Sequence, residues 1–243
     1  MSRSPGEPEA ALIPSVMPEL EQAISEPRSS DDRSAAVAYH ALLAQLVSRQ
    51  VAPGDRITID RVSRAIGVSQ TPVREALTQL ELEGLVTRTH NAGFRAAPLL
   101  SRERFDDLFE IRLLIEPRAA AGAARCRTSA QHEALLELAE GMRHMADTIE
   151  RTTYGRFAQA DSQLHDLIAA ASGNSYMSEI LNRLHAHIHL FRLLYDAEVS
   201  ITAIDEHDEI LTAITNGNAT VAQEAMRGHI LASKGRLSVA FDQ

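Results

Sequence analysis

Among the ten histidines of this 243-residue chain, two settings have types and spacings that could do chemistry. Asp161 and His165 stand four apart where Phe157, Leu164, Ile168 and Ala169 recur at helical spacing. Carboxylate and imidazole then leave one face of the helix and can share an ion. Such a pair is more often a simple surface hydrogen bond, so further donors are needed. His207 and His229 lie on consecutive helical patterns, twenty-two residues apart, and reach a common level if those helices are antiparallel. One Asp and three His on three helices would suit zinc, nickel or another first-row ion. His185, His187 and His189 are a poorer set, because i and i+2 positions are about 200° apart on a helix. His185 and His189 share a face that would line a cavity, and His187 should point elsewhere. His40, His132 and His144 stand alone on helical patterns and read as ordinary surface or boundary residues.

The second setting is Ser69-Gln70-Thr71-Pro72-Val73-Arg74. Hydroxyl, amide and guanidinium groups at the start of a helix can read base edges: Gln pairs with adenine, Arg with guanine, and Thr meets phosphate or a thymine methyl. The helix dipole adds attraction for phosphate. The charge distribution agrees. Net charge is −9 overall, but residues 1–35 carry −4, residues 36–98 carry +2 and residues 99–243 carry −7. One locally basic block thus sits inside an acidic protein. All but one of the basic residues (Lys234) are arginine, the side chain suited to bidentate contact with phosphate or guanine, although a GC-rich genome would give the same bias.

These groups need elements to hold them. Five of nine prolines fall in residues 1–34, so residues 1–35 read as a disordered tail. From Val37, apolar residues recur at helical spacing to Val47, followed by a turn at Pro53-Gly54-Asp55. A short helix over about 60–66 stops at Gly67. Ser69 can cap a third helix running to about Glu83 and burying Val73, Ala76, Leu77 and Leu80. Leu85–Thr89 and Phe94–Ala97, around a turn at His90–Gly93, read as two short strands. Three helices and a hairpin over residues 36–98 make a winged helix-turn-helix, with Arg88, His90 and Arg95 of the wing placed toward a DNA backbone or minor groove. The competing reading is a small α/β subdomain with a solvated helix start. After Pro98 six helical patterns follow, at about 101–125, 129–150, 154–172, 175–198, 201–216 and 218–238. The fold class is therefore mainly α, an N-terminal winged helix-turn-helix followed by an all-α six-helix bundle over residues 102–238. The link near Pro98–Ser101 is too short for a floppy tether.

With 44% hydrophobic and 23% charged residues the chain can bury a core and stay in solution. No stretch approaches the roughly 20 apolar residues of a membrane span. The lone Cys126 cannot form an internal disulfide, and the acidic N-terminus lacks a secretion signal, so a cytoplasmic location is expected.

Residues 37–98 resemble the DNA-binding domain of the GntR family of bacterial transcription factors. The resemblance is carried by Pro53-Gly54-Asp55, by the run Ile66 to Leu77, by Leu80 to Val86 and by Asn91-Ala92-Gly93-Phe94. It implies that Arg74 and Thr71 contact operator DNA and that Gly93 lets the wing approach the backbone. Gln70 stands where most relatives place an arginine, so the operator is expected to differ from theirs. Residues of about 102–238 look like the FCD ligand-sensing domain of the FadR-like subgroup, through Glu110-Ile111-Arg112, Glu116, Asp161 to His165, Glu206-His207 and Arg227-Gly228-His229. That resemblance implies a divalent metal, zinc or nickel, on Asp161, His165, His207 and His229, holding a small organic acid effector with Arg112 as its carboxylate partner. Six helices imply the shorter variety of the domain.

The expectation is a homodimeric, ligand-responsive regulator, a repressor rather than an enzyme, that reads double-stranded operator DNA as a short palindrome. Two rivals share the site: a metal-dependent hydrolase or isomerase with an accessory DNA-binding domain, and a pure metal sensor. The enzyme would need a general base beside the ion, for which Glu116 and Asp205 are available. A pure metal sensor would have no use for Arg112.

Overall fold

The computed structural model describes residues 30–89, 93–146, 154–194 and 197–242. Helix α1 spans Ser30–Val47 and begins inside the stretch expected to be a tail. Asp32 stands in its first turn, where the helix dipole favours a carboxylate, and the last upstream proline is Pro27. The rest of that expected tail, residues 1–29, lies outside the described residues. Helix α1 buries Val37, Ala38, Leu42, Leu43, Leu46 and Val47.

Strand β1 (Arg56–Ile57), α2 (Ile59–Ile66), α3 (Gln70–Leu82), β2 (Val86–Thr89) and β3 (Gly93–Ala96) complete the N-terminal domain. Gly67 ends α2 at φ 72, and the amides of Gly67 and Val68 both donate to the Ser63 carbonyl. A side chain would strain that left-handed turn, which sets α3 across α2. Helix α3 buries Pro72, Val73, Ala76, Leu77 and Leu80, a helical stripe facing α1. Ser69 holds the N-cap position, but its side chain accepts no capping bond, contrary to expectation; the residue stays exposed. The sheet has three antiparallel strands in the order β1-β3-β2, with Val86 opposite Ala96 and Ile57 opposite Phe94. Strand β1 was not expected; two residues are too few to show alternation. The expected turn lies partly outside the described residues, His90 included.

The C-terminal domain is helical: α4 (Arg102–Cys126), α5 (Ser129–Ala146), α6 (Tyr154–Ala170), α7 (Ser175–Leu184), α8 (Ala186–Phe191), α9 (Ala197–Thr215) and α10 (Ala219–Ser238), ending in a 3-10 turn over Val239–Phe241. Side chains of Ser101, Asn174 and Asn218 cap α4, α7 and α10. Helix α4 packs along α10 and against α6, while α9 and α10 form a pair joined through Asn216-Gly217-Asn218. Phe105, Phe109, Phe157, Leu164, Ile210 and Ile230 are fully buried at the centre. Seven helices rather than six are present among the described residues. The segment expected to run over 175–198 breaks at His185, whose backbone is left-handed at φ 44. A non-glycine residue there ends the helical hydrogen-bond ladder, so α7 and α8 take different directions.

No helix among the described residues is long and apolar enough to cross a membrane. Leu77, with no exposed surface in the α1–α3 core, sets a stability test. Leu77→Ala is expected to cost about 2–5 kcal/mol, read as a lower denaturation midpoint for the unfolding phase of the N-terminal domain.

Candidate functional site

Five helices converge on one buried cluster. Helix α4 supplies Arg112 and Glu116, one turn apart; α6 supplies Asp161 and His165; α8 supplies His187; α9 supplies His207. Helix α10 adds His229, also buried. The donor nitrogens of His165, His207 and His229 all lie within 4.8 Å of one another. The Nε2 atoms of His165 and His207 face each other at 3.4 Å, and Asp161 Oδ1 stands 3.5 Å from His207 Nε2. The structure therefore brings together the four residues singled out in the sequence.

Neighbouring carboxylates fix how the rings are presented. His165 Nδ1 donates to Glu116 Oε2 at 2.6 Å, and Glu116 Oε1 accepts from Arg112 Nε at 2.6 Å. His229 Nδ1 donates to Glu206 Oε2 at 2.7 Å, and Glu206 is held by Arg236 at 2.5 and 2.8 Å. Two Arg–Glu–His relays thus occupy both Nδ1–H groups and leave Nε2 of each ring as an acceptor, the arrangement in which carboxylates orient metal-binding imidazoles. His165 Nε2 faces not His229 but His207 Nε2, at 3.4 Å, and two lone pairs at that distance would repel unless a proton or cation lay between them. The spacing fits a cation: nitrogens bound to zinc at about 2.1 Å stand about 3.4 Å apart across a tetrahedral edge. His207 Nδ1 is buried without a hydrogen-bond partner, so nothing on that side competes for the ring.

Burial pushes the pKa of His165, His207 and His229 below the ordinary imidazole value, which favours the neutral, ligand-competent ring. Burial alone would raise the Asp161 carboxyl. The His187 hydrogen bond and the surrounding imidazoles outweigh it and hold the group well below the usual carboxylate range. Glu116 follows the same logic, with Arg112 and then His165 overcoming desolvation. For Glu206 the Arg236 hydrogen bond leads against burial and brings it to about 2.

The expected orientation of His187 is overturned. Its Nδ1 donates to Asp161 Oδ2 at 2.9 Å and its ring stacks on His165 with centroids 4.0 Å apart. The spacing argument assumed one continuous helix, and the left-handed His185 resets the phase. His185 lines a small cavity beside Asp166, whereas His189 turns to the N-terminal domain. Burial raises Asp166 to about 6. Sequence reasoning missed Arg236, Glu206 and Glu116 as a supporting layer. The i, i+4 spacing of Arg112 and Glu116 was visible, but the partner of Glu206 lies thirty residues on and has no local signature. Arg112, Asp161, His187, His229 and Arg236 line a cavity of about 30 Å³, closed on its apolar side by Tyr154, Leu190 and Phe191. Arg112 is only 1% exposed and already paired with Glu116.

On the N-terminal domain, Ser69, Gln70, Thr71 and Arg74 are exposed along the start of α3. Arg88, Gly93 and Arg95 are exposed on the wing. The guanidinium of Arg88 lies over Phe94 at 5.5 Å, and Arg95 donates to the Gly54 carbonyl at 2.8 Å. Strand β1 sets Arg56 directly opposite Arg95, an exposed like-charge pair that the hairpin reading could not contain.

Comparison with known proteins decides what these two constellations belong to. Residues 34–95 match the bacterial regulatory proteins of the gntR family, and residues 107–232, more than half of the chain, match the FCD domain. The chain belongs to the GntR family. It is a DNA-binding transcriptional regulator of the GntR type with a C-terminal FCD domain, and its relatives are regulators rather than enzymes. It is 26% identical over 220 residues to the HTH-type transcriptional regulator LutR of Bacillus subtilis (strain 168), covering 80% of this chain and 96% of that protein. It is 27% identical over 210 residues to the Uxu operon transcriptional regulator of Escherichia coli (strain K12), covering 76% and 79%. The fold is similar to that of E. coli McbR/YncC, with a TM-score of 0.66 at 18% identity over 86% of this chain and 98% of that one. A GntR regulator from Rhodococcus sp. RHA1 gives 0.64 at 20% identity over 85% and 98%.

The buried relay of this GntR protein sets a direct test. Arg112→Met removes one partner of a fully buried pair and is expected to cost about 3 kcal/mol. Adding Glu116→Gln removes the stranded charge and should recover much of that loss, measured as paired urea midpoints.

Proposed function

We propose that the protein is a cytoplasmic, homodimeric repressor whose operator affinity is set by a small monocarboxylate bound at a divalent-metal site in the FCD domain. The observation that carries this reading is the convergence of Asp161, His165, His207 and His229 with two Arg–Glu relays fixing the rings. One carboxylate and three imidazoles suit zinc or nickel. A bound divalent ion would supply a positive, oxygen-accepting position inside the bundle. Everything else is done by the chain itself. Glu116 and Glu206 hold the ring tautomers, Tyr154, Leu190 and Phe191 exclude water, and Arg112 presents a planar cation. Nε and Nη2 of Arg112 are engaged by Glu116, and its remaining N–H groups are the donors proposed for the effector carboxylate.

Charge balance narrows the effector. With its imidazoles neutral, the cluster sets two arginines (Arg112, Arg236) against three carboxylates (Glu116, Asp161, Glu206), one net negative charge. A divalent cation reverses this to one net positive charge, which a single carboxylate neutralises. A dianion would leave an unpaired charge in a buried site, at a cost of several kcal/mol. The cavity of about 30 Å³ is about the room of one water, so a small acid enters only as its walls move.

On the DNA side, Gln70, Thr71 and Arg74 are proposed to read base edges from the N-terminus of α3, supported by Ser69. Arg88, Arg95 and the backbone at Gly93 meet the phosphates beside them. A twofold dimer would present two such helices to a palindrome.

Three outcomes are expected. Arg74→Ala should weaken binding to a selected operator by about 1–3 kcal/mol while leaving the unfolding midpoint unchanged; retained discrimination between operator and scrambled DNA refutes the reading helix. The double change His207→Ala with His229→Ala should abolish stoichiometric zinc or nickel in a chelator competition, and Glu206→Gln alone should weaken it about 10–100-fold. In zinc-loaded protein, acetate or propionate should raise Tm where malonate and succinate do not; the opposite order would sink the charge argument.

A further inference from the structure

Helix α8 is only six residues long, yet its two faces address the two sites. Toward the cavity it presents His187, Leu190 and Phe191, with His187 bonded to Asp161. Toward the DNA-binding domain, Ile188 is buried in the same apolar cluster as Leu77, Leu80 and Val86. His189 Nε2 donates to the carbonyl of Glu83, the residue that ends recognition helix α3, at 3.0 Å. The same ring packs against Gly84, 3.6 Å from where a Cβ would stand. Just past the helix, buried Arg192 donates to the Ala97 carbonyl at the root of the wing at 2.6 Å. Arg49, at the end of α1, returns the contact by donating to the carbonyls of Arg192 at 2.8 Å and Leu193.

A second contact between the domains behaves oppositely. Gly155 at the start of α6 lies so close to α1 that a Cβ would fall 2.6 Å from Ala44 Cα. That crossing has no slack and fixes where the domains touch. Helix α8 is a short unit, bounded at its start by the left-handed His185, with Ile188 and Leu190 buried in the two neighbouring cores and His187 and His189 bonded to the two domains. A change in the position of Asp161 or in the contents of the cavity acts on His187, Leu190 and Phe191 directly. Along a helix of fewer than two turns the displacement reaches His189 and Arg192 with few intervening side chains. Coupling needs a physical element that both sites bias, and this one touches both.

We propose that α8 is the coupling element that transmits occupancy of the histidine cluster to the recognition helix and wing root, through His187 on one face and His189 and Arg192 on the other. The proposal rests on the reading that the cluster binds a divalent ion.

The test uses full-length protein and zinc alone, with two readouts: zinc affinity by chelator competition, and backbone hydrogen exchange over residues 79–86. In the natural protein zinc should change exchange over 79–86 about fivefold or more, the lower end of usual coupling strengths. His189→Ala should bind zinc with the same affinity and stoichiometry and lose that remote change. His189→Gln, which keeps an N–H donor, should restore it. Arg49→Ala, outside both α8 and the cavity, should weaken the change at unaltered zinc affinity, and it carries the comparison if His189→Ala does not fold. Zinc binding with no change over 79–86, or with an equal change in His189→Ala, overturns the coupling and leaves the metal site standing. Failure of the natural protein to bind zinc overturns the metal reading and the coupling with it.

Discussion

Charge buried in a helical bundle has to be answered by charge and hydrogen bonds close at hand, and that constraint shapes the whole C-terminal domain. Three carboxylates, two arginines and four imidazoles meet in a small region where three of the five formal charges and all the rings are buried and the other two, Glu206 and Arg236, are half-buried. Each charge taken from water costs several kcal/mol unless it is paired. The pairing is therefore dense: Arg112 on Glu116, Glu116 on His165, His187 on Asp161, Arg236 on Glu206 and Glu206 on His229. No single helix can supply such a set. The crossing of α4, α6, α8, α9 and α10 at one level is what satisfies the requirement, with the surrounding Phe105, Phe109, Phe157 and Ile230 cluster supplying the hydrophobic stability that the polar centre does not.

What could be read in the sequence divides along the range of the interactions. The α3 stripe of Val73, Ala76, Leu77 and Leu80 and the alternation in β3 are local patterns, and each had its structural counterpart. The four candidate ligands stood out because Asp161 and His165 share a turn and because consecutive antiparallel helices bring His207 beside His229, an inference that needs topology but no detailed packing. The orienting layer was hidden for a different reason. Whether Glu206 faces His229 and Arg236 depends on the rotation of α9 against α10, which periodicity does not give. His187 was misplaced by a single backbone torsion: one left-handed residue at 185 turns a 3.6-residue count into a wrong face. The start of α1 was misjudged because proline and serine content was averaged across residue 30, although the acidic residue at 32 favours a helix end.

The same torsion ties the histidine cluster to the DNA-binding domain. Had α7 continued through His185 in register, its following residues would have kept the α7 direction. The break starts a new, shorter helix with Ile188 among the core residues of the N-terminal domain and His189 at the end of α3. The domain boundary is consequently not a plain linker between two separate cores. Tyr154, Ala158 and Ile188 from the helical domain are counted in the apolar cluster of the reading domain, and Tyr154 also walls the polar cavity. A cavity wall that is simultaneously a piece of the neighbouring core cannot move without that core responding.

This arrangement bears on how apolar and polar contacts divide the boundary between them. An apolar contact is non-directional and tolerates small sliding, whereas a hydrogen bond from a ring or guanidinium to a backbone carbonyl loses strength steeply as its angle falls. The apolar part, with the tight Gly155–Ala44 crossing, holds the domains together. The directional part, His189 to Glu83, Arg192 to Ala97 and Arg49 to the 192–193 carbonyls, is the portion sensitive to a shift of a fraction of an ångström. These three end on backbone atoms at the close of α3, at the wing root or beside α8, while Gln159 of α6 meets His40 Nδ1 of α1 side chain to side chain at 3.0 Å. The end of α3 and the wing root are thus tied to α8 by bonds sensitive to its position, and α8 in turn is bonded to Asp161 through His187. The proposed coupling would therefore need only a small geometric change, because the exposed start of α3 and the buried charge cluster are separated by one short helix rather than by a chain of packed layers.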